Sequence, residues 1–280
     1  PKIHPLPLGL PHPDLPSWLA SGRVRGSFYD QRFLEQSSGL SRCDKKEKIF
    51  GCWHPRIDHG SGTCPPESNE REMAREWFSG QEAPAFTLFG RMKGVRIAGA
   101  KPRKEPAIAT ATRRLLDHGH RRISFLGRRQ LRLPEPATVV RAFLGELEAA
   151  GFATGPYNTP DWEECPEGFK NLLDSLFGGL TPPTALIISE RFLYYAAHHH
   201  LARAGLRVPD DVSMVCTDSD PDFAWCQPSV AHIRWDYRPV LRRAVHWTNH
   251  VSQGKEDRQQ RLTTAEFVEG GTVGPAPKGP

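Results

Sequence analysis

The sequence predicts an α/β protein organised around a parallel sheet, and three observations carry that reading. Short, nearly continuous apolar runs recur at PAFTLFGR (84–91), RISFLGR (122–128), TALIISE (184–190) and DVSMVCTD (211–218), as strands covered on both faces require. The segments between them place apolar residues at helical spacing. The two kinds of segment alternate, and such alternation returns each strand parallel to the one before it.

Each element follows from its own pattern. Ile108, Ala111, Thr112, Leu115 and Leu116 mark one helical face before the Gly-His pair at 119–120, and Val140, Phe143, Leu144 and Leu147 mark another before Gly151. Further helices are expected at about 167–177, 191–204 and 239–252, the last opened by Pro239 near a first helical position. Residues 1–66 break the pattern, with prolines near the start and no period sustained for long. They read as an irregular segment, followed by a regular domain over 67–280.

With 280 residues, 38% apolar and 25% charged, the chain is long enough for a large core or two lobes. No run of about 18 apolar residues exists to span a membrane. The stretch PKIHPLPLGLPHPDLPSWLA lacks the charged start, apolar core and cleavage site of an export signal, so a cytoplasmic setting is expected. A formal charge of +5 and a pI near 9.0 permit nucleic-acid contact, but no long Lys/Arg block accompanies them.

Metal and catalytic signals are weak. Six cysteines occur without a C-x-x-C pair. Cys43, Cys52, His54, His59 and Cys64 have zinc-ligand chemistry at spacings that match no zinc pattern, and Cys216, inside an apolar run, reads as a small core residue. No metal or cofactor is expected. His198, His199 and His200 point about 100° apart on a helix and cannot converge on one ion. Arg121, Arg122, Arg128 and Arg129 flank ISFLG either as a basic patch or as strand-end solvation. Without a G-x-S-x-G elbow, P-loop, H-E-x-x-H or G-x-G-x-x-G opening a helix, the chain does not read as an enzyme.

Ligands of parallel sheets collect beyond the carboxyl ends of the strands. Asp218, Ser219 and Asp220 follow VSMVCT, while Glu190 and Arg191 end or follow TALIISE, so both edges should face one crevice. The alternative is that Asp218 caps a turn and Asp220 simply precedes Pro221.

The stretches LLDHGHRRISFLG (115–127), LARAGLRVPDDVSMVCTDSD (201–220), QPSVAHIRWD (227–236) and AEFVEGGTVGPAP (265–277) occur in an order that resembles the effector-binding domain of the lactose-repressor and galactose-repressor family of bacterial transcription regulators, over about 68–276. The resemblance implies a two-lobed, periplasmic-binding-protein type I-like α/β fold with parallel sheets. Lobe 1 would hold about 68–119 plus 237–254, and lobe 2 about 120–236 plus 260–280. It implies a small polar effector, a sugar or sugar derivative, held between the lobes. It also implies a homodimer that reaches operator DNA only through a reader domain absent from this chain, where no helix-turn-helix or winged-helix signature precedes the domain. An exported solute-binding protein of a sugar transporter shares the fold and is the alternative.

Carried over residue by residue, Asp218 matches the family's acidic residue that accepts hydrogen bonds from ligand hydroxyls. Trp162, in PDWEECPEGF, matches an aromatic that stacks on the ligand, and Tyr237 falls where an aromatic lines the cleft; either is otherwise a packing residue. The chain departs from the family at Glu190-Arg191, where Asn-Asp is usual, and at Gly90-Arg91, where Asp-Arg is common. Arg141 lies about two residues out of register with the family's ligand-binding arginine and reads equally as an exposed helix residue. The helix bearing Val240, Leu241, Ala244, Val245 and Val251, with Trp247 nearby, would pair subunits or pack on its own sheet.

Overall fold

The computed structural model describes residues 84–89 and 97–278. Arg91, Gly90 and the possible zinc ligands Cys43, Cys52, His54, His59 and Cys64 lie outside the described residues, as does the irregular segment 1–66. The described elements run β1 (Phe86–Leu88), β2 (Ala98–Pro102), α1 (Glu105–Asp117), β3 (Ile123–Leu126), α2 (Arg129–Arg132), α3 (Thr138–Ala149), α4 (Pro166–Gly178), β4 (Ala185–Ile188), α5 (Arg191–Arg203), β5 (Ser213–Cys216), a 3-10 turn (Pro221–Trp225), β6 (Ala231–Trp235), α6 (Arg238–Ser252), β7 (Gln260–Thr263) and β8 (Ala265–Val268). The four sequence-predicted strands are β1, β3, β4 and β5; the five predicted helices are α1, α3, α4, α5 and α6.

Among the described residues two sheets form, a three-stranded one in the order β1-β2-β7 and a five-stranded one in the order β3-β4-β5-β6-β8. The chain divides accordingly into two units, and within the described residues it passes between them at 100/101, 240/241 and 261/262. In the smaller unit, Gly99 lets the second strand approach the first: an added Cβ would sit 2.5 Å from Thr87 Cγ2. Phe86 and Trp247 pack with ring centroids 5.3 Å apart there.

The larger unit shows why the apolar runs are continuous. Ile123, Phe125, Ala185, Ile187 and Val215 face a cluster completed by Ala107, Ile108, Ala111 and Leu115 of α1 and Val140, Phe143 and Leu147 of α3. Leu126, Leu186, Ile188, Met214 and Cys216 face the opposite cluster, with Phe169, Leu172 and Leu173 of α4 and Leu193, Tyr194, Ala197 and Leu201 of α5. Alternate residues thus point to opposite faces and both faces are covered. Each fully buried Leu, Ile or Phe contributes about 1.5–3 kcal/mol of transfer free energy.

Helix α1 packs on the five-stranded sheet, and by packing the larger unit takes Lys101–Val240 while the smaller takes Leu241–Arg261. The reason is the apolar face of α1, whose four buried residues complete a cluster that β3, β4 and β5 would otherwise expose. Gly119, at φ 89°, then turns the chain out of α1 into β3 through a left-handed conformation that few other residues adopt. Among the described residues, no helix is long and apolar enough to cross a membrane.

Candidate functional site

Strands β3, β4 and β5 are parallel and in register, with Leu126 beside Ile188 and Ile188 beside Cys216. The ladder continues for one residue past each strand, where Ser189 N–H donates to the Leu126 carbonyl at 2.9 Å and Thr217 N–H to that of Ile188 at 2.7 Å. The Thr217 hydroxyl donates to the Ser189 carbonyl at 3.0 Å. The next residue on each chain is Arg128, Glu190 and Asp218. Equal offsets from strands in register place these three in one row at the carboxyl edge.

The row is assembled by charge. Arg128 Nε lies 3.1 Å from a Glu190 carboxylate oxygen, and Lys104 Nζ lies 3.4 Å from Asp218 Oδ1. Lys104, just before α1, also stands 5.4 Å over the Trp235 ring. Burial pushes the Glu190 carboxyl above its ordinary pKa; the Arg128 charge opposes the rise, and the Asp218 and Glu164 charges add to it. Two neighbouring carboxylates are therefore flanked by two cations. The carboxylates offer acceptor oxygens to hydroxyl or amine donors, while guanidinium and ammonium offer donors to hydroxyl, carboxylate or phosphate oxygens.

The other predicted site residues divide into two groups. The Trp162 indole N–H donates to the Gly127 carbonyl at 2.9 Å, and its ring packs on Phe169 at 5.0 Å, which brings the 159–165 loop to the end of β3. Cys165 caps α4, its sulfur accepting from Gly168 N–H at 3.3 Å. An added Cβ on Gly168 would fall 2.1 Å from the Glu163 carbonyl oxygen, so only glycine lets this loop close down on the helix. Tyr237, at the carboxyl end of β6, is 56% exposed.

Arg191 and Asp220 pair with one another at 3.2 Å. Asp220 is buried and also accepts from Asp222 N–H at 3.0 Å, so it caps the 3-10 turn. Arg141 lies on an exposed part of α3 and donates back to the Pro136 carbonyl at 2.9 Å.

Sequence reasoning did not single out Lys104, Trp235 or Arg128 as site residues. A signal for Arg128 was present: it stands at the same distance past ISFL as Glu190 past ALII and Asp218 past SMVC. Lys104 had none, because only tertiary packing brings it to Asp218 across 114 residues. The four arginines around β3 do not form one patch. Arg121 and Arg122 lie at its amino end, bonded to the Leu116 and Pro182 carbonyls, and Arg128 and Arg129 lie at its carboxyl end. His198 stacks on Tyr194 while His200 meets Asp174 at 3.5 Å, so the three consecutive histidines do not converge.

Comparison with known proteins identifies the family of the fold. A sequence profile of the periplasmic binding protein-like domain matches residues 112–273, more than half of the chain. The chain belongs to that family. The periplasmic binding protein-like domain is also 27% identical over 108 residues to the lactose operon repressor of Escherichia coli (strain K12), across 39% of this chain and 29% of the repressor's length. A LacI family transcriptional regulator from Mycobacterium smegmatis shares its fold at a TM-score of 0.59 and 22% identity, covering 73% of this chain and 75% of that one. A LacI family transcriptional regulator from Enterococcus faecium, solved with bound ribose, superposes at a TM-score of 0.61 and 14% identity, covering 73% and 76%.

Proposed function

We propose that this periplasmic binding protein-like domain is the ligand-sensing domain of a bacterial transcription regulator, taking a small polar, sugar-like effector at the carboxyl edge of its five-stranded sheet. The observation that carries the reading is the row of Arg128, Glu190 and Asp218, completed by Lys104. In this reading Asp218 and Glu190 accept hydrogen bonds from effector hydroxyls, Arg128 and Lys104 donate to effector oxygens, and Trp162 and Tyr237 supply aromatic surface. Arg191 holds the Asp220 turn in place beside them. The two carboxylates and two cations of the row balance in charge and offer both acceptors and donors, which suits the hydroxyls and ring oxygen of a sugar. The regulator acts in the cytoplasm as a homodimer without a catalytic step, and a separate reader domain contacts operator DNA. The regulator names of the proteins with the same fold, one of them solved with ribose, support this reading.

Thermal unfolding of the purified chain with pentoses, hexoses, sugar acids and sugar phosphates tests it. An effector at about 100 times its dissociation constant stabilises by about 2.7 kcal/mol. The expected result is a shift for one sugar class that Asp218→Ala removes. A shift of equal size in Asp218→Ala would move the binding site elsewhere, and cooperative unfolding with no shift from any class would overturn the sugar-like effector.

A further inference from the structure

The smaller unit carries a cluster that the proposed sensing role leaves unused. His246 and His250 lie four residues apart on α6, hence on one face, with their ring centroids 4.0 Å apart. Asp257, on the segment between α6 and β7, meets them: His250 Nδ1 is 3.9 Å from Asp257 Oδ2. One ligand atom from each of the three residues lies within 4.8 Å of the others.

We propose that His246, His250 and Asp257 form a site for a divalent transition-metal ion of the zinc class. Zinc binds imidazole nitrogen at about 2.0–2.1 Å, which puts tetrahedral donors about 3.4 Å apart. Binding would draw the three donors in from within 4.8 Å of one another to that spacing, with His246 the exposed member of the set. The carboxylate is already oriented. Arg243 Nη1 and Nη2 donate to its two oxygens at 2.7 and 2.6 Å, Gln259 N–H donates to Oδ1 at 3.1 Å, and the Trp247 indole N–H holds the Asp257 carbonyl at 3.0 Å.

Outer partners of this kind fix the orientation of a metal ligand, and Oδ2 retains a lone pair for the ion. The Arg243 guanidinium also offsets part of the carboxylate charge. That disfavours calcium and magnesium, which need several oxygen donors, and leaves the two imidazoles to select a zinc-class ion. An Arg243–Asp257 ion pair alone explains the position of Asp257 but not two histidines one turn apart beside it. Bound metal would clip the end of α6 to the segment leading into β7, with a fourth position left to water.

Cobalt(II) titration of the full chain, stripped of metal by chelator, tests the site through its visible absorption, with zinc as competitor. The expected result is one equivalent of cobalt that zinc displaces, without a thiolate-to-cobalt charge-transfer band. His246→Ala and His250→Gln should each weaken binding by at least about 10-fold, since losing even an outer partner of a ligand costs about 10–100-fold. His246→Ala should leave the melting temperature in metal-free buffer unchanged, because the side chain is exposed. Absence of saturable binding, a thiolate band, or binding that survives both substitutions would overturn the proposal; the last two outcomes would place the ion on cysteines or on residues other than this cluster.

Discussion

His120 shows how a single buried side chain ties the end of the chain to the sheet. It is fully buried, with Nε2–H donating to the Gly274 carbonyl at 3.0 Å and Nδ1 accepting from the Thr184 hydroxyl at 3.0 Å. Burial lowers its pKa below the ordinary histidine value; the Gly274 carbonyl opposes that, and the His118 and Arg121 charges reinforce it. The unfolded chain therefore takes up the proton first as pH falls. The stabilising effect is fully present above about pH 6.5 and is lost as pH falls through that value toward the depressed folded pKa. Denaturant midpoints measured from pH 7.5 to 5.5 should fall with acid, and His120→Gln should flatten the slope while lowering stability throughout. At the sheet edge, Arg128→Ala strips Glu190 of its counter-charge. With both side chains a little over a quarter exposed, the loss expected in urea unfolding lies between a surface and a buried pair, about 1–2 kcal/mol. Cys216, whose thiol burial pushes up to about 12, should escape alkylation at pH 8 while Cys165 and Cys226, both partly exposed, react; labelling mapped by mass spectrometry decides.

At the scale of elements, strands β3, β4 and β5 were legible because both of their faces are buried and every residue must be apolar or internally bonded. Helices α1, α3 and α4 were legible because only one face is buried, which prints the helical period on the sequence. Strands β7 and β8 were not: the residues of β7 are half-buried or exposed, and β8 sets only Ala265 and Phe267 against the core, an alternation too short to stand out in the sequence. The short β2, AGAKP, hides its strand character behind two alanines and a glycine whose role is close approach. In the loop that carries Trp162, Gly168→Ala would drive a methyl group into the Glu163 carbonyl. The expected cost is about 1–3 kcal/mol as the loop is pushed off α4, and the Trp162 fluorescence environment should change with it. A variant as stable as the parent with unchanged emission would show that the loop yields freely.

For the whole molecule, the tail after β8 closes the larger unit. The buried Thr272 hydroxyl donates to the Met214 carbonyl at 2.8 Å and accepts from Ala231 N–H at 2.9 Å, bridging β5 and β6. Thr272→Val keeps the shape but leaves both backbone groups without that partner, and should cost about 2–3 kcal/mol in thermal or urea unfolding. On α6 the apolar residues fall into two groups. Ala244 and Trp247 are buried within their own unit, whereas Leu241 and Val245 are exposed, Val245 by 60%. The proposed homodimer would draw on these two, so Val245→Asp should shift sedimentation toward monomer at concentrations where the parent sediments as dimer. A concentration-independent monomer mass for the parent would remove the dimer.

The sequence by itself determined the α/β class, the strands and helices of the larger unit, and the acidic edge at Glu190 and Asp218. Burial on one or both faces is written in residue order, and the edge follows from where apolar runs stop. Only the tertiary structure decided which charges complete that edge. Lys104 meets Asp218 because α1 packs on the five-stranded sheet, Arg128 meets Glu190 because β3 and β4 pair in register, and Asp220 turns inward as a cap. Partners of this kind are chosen by distance in space, which residue order does not record.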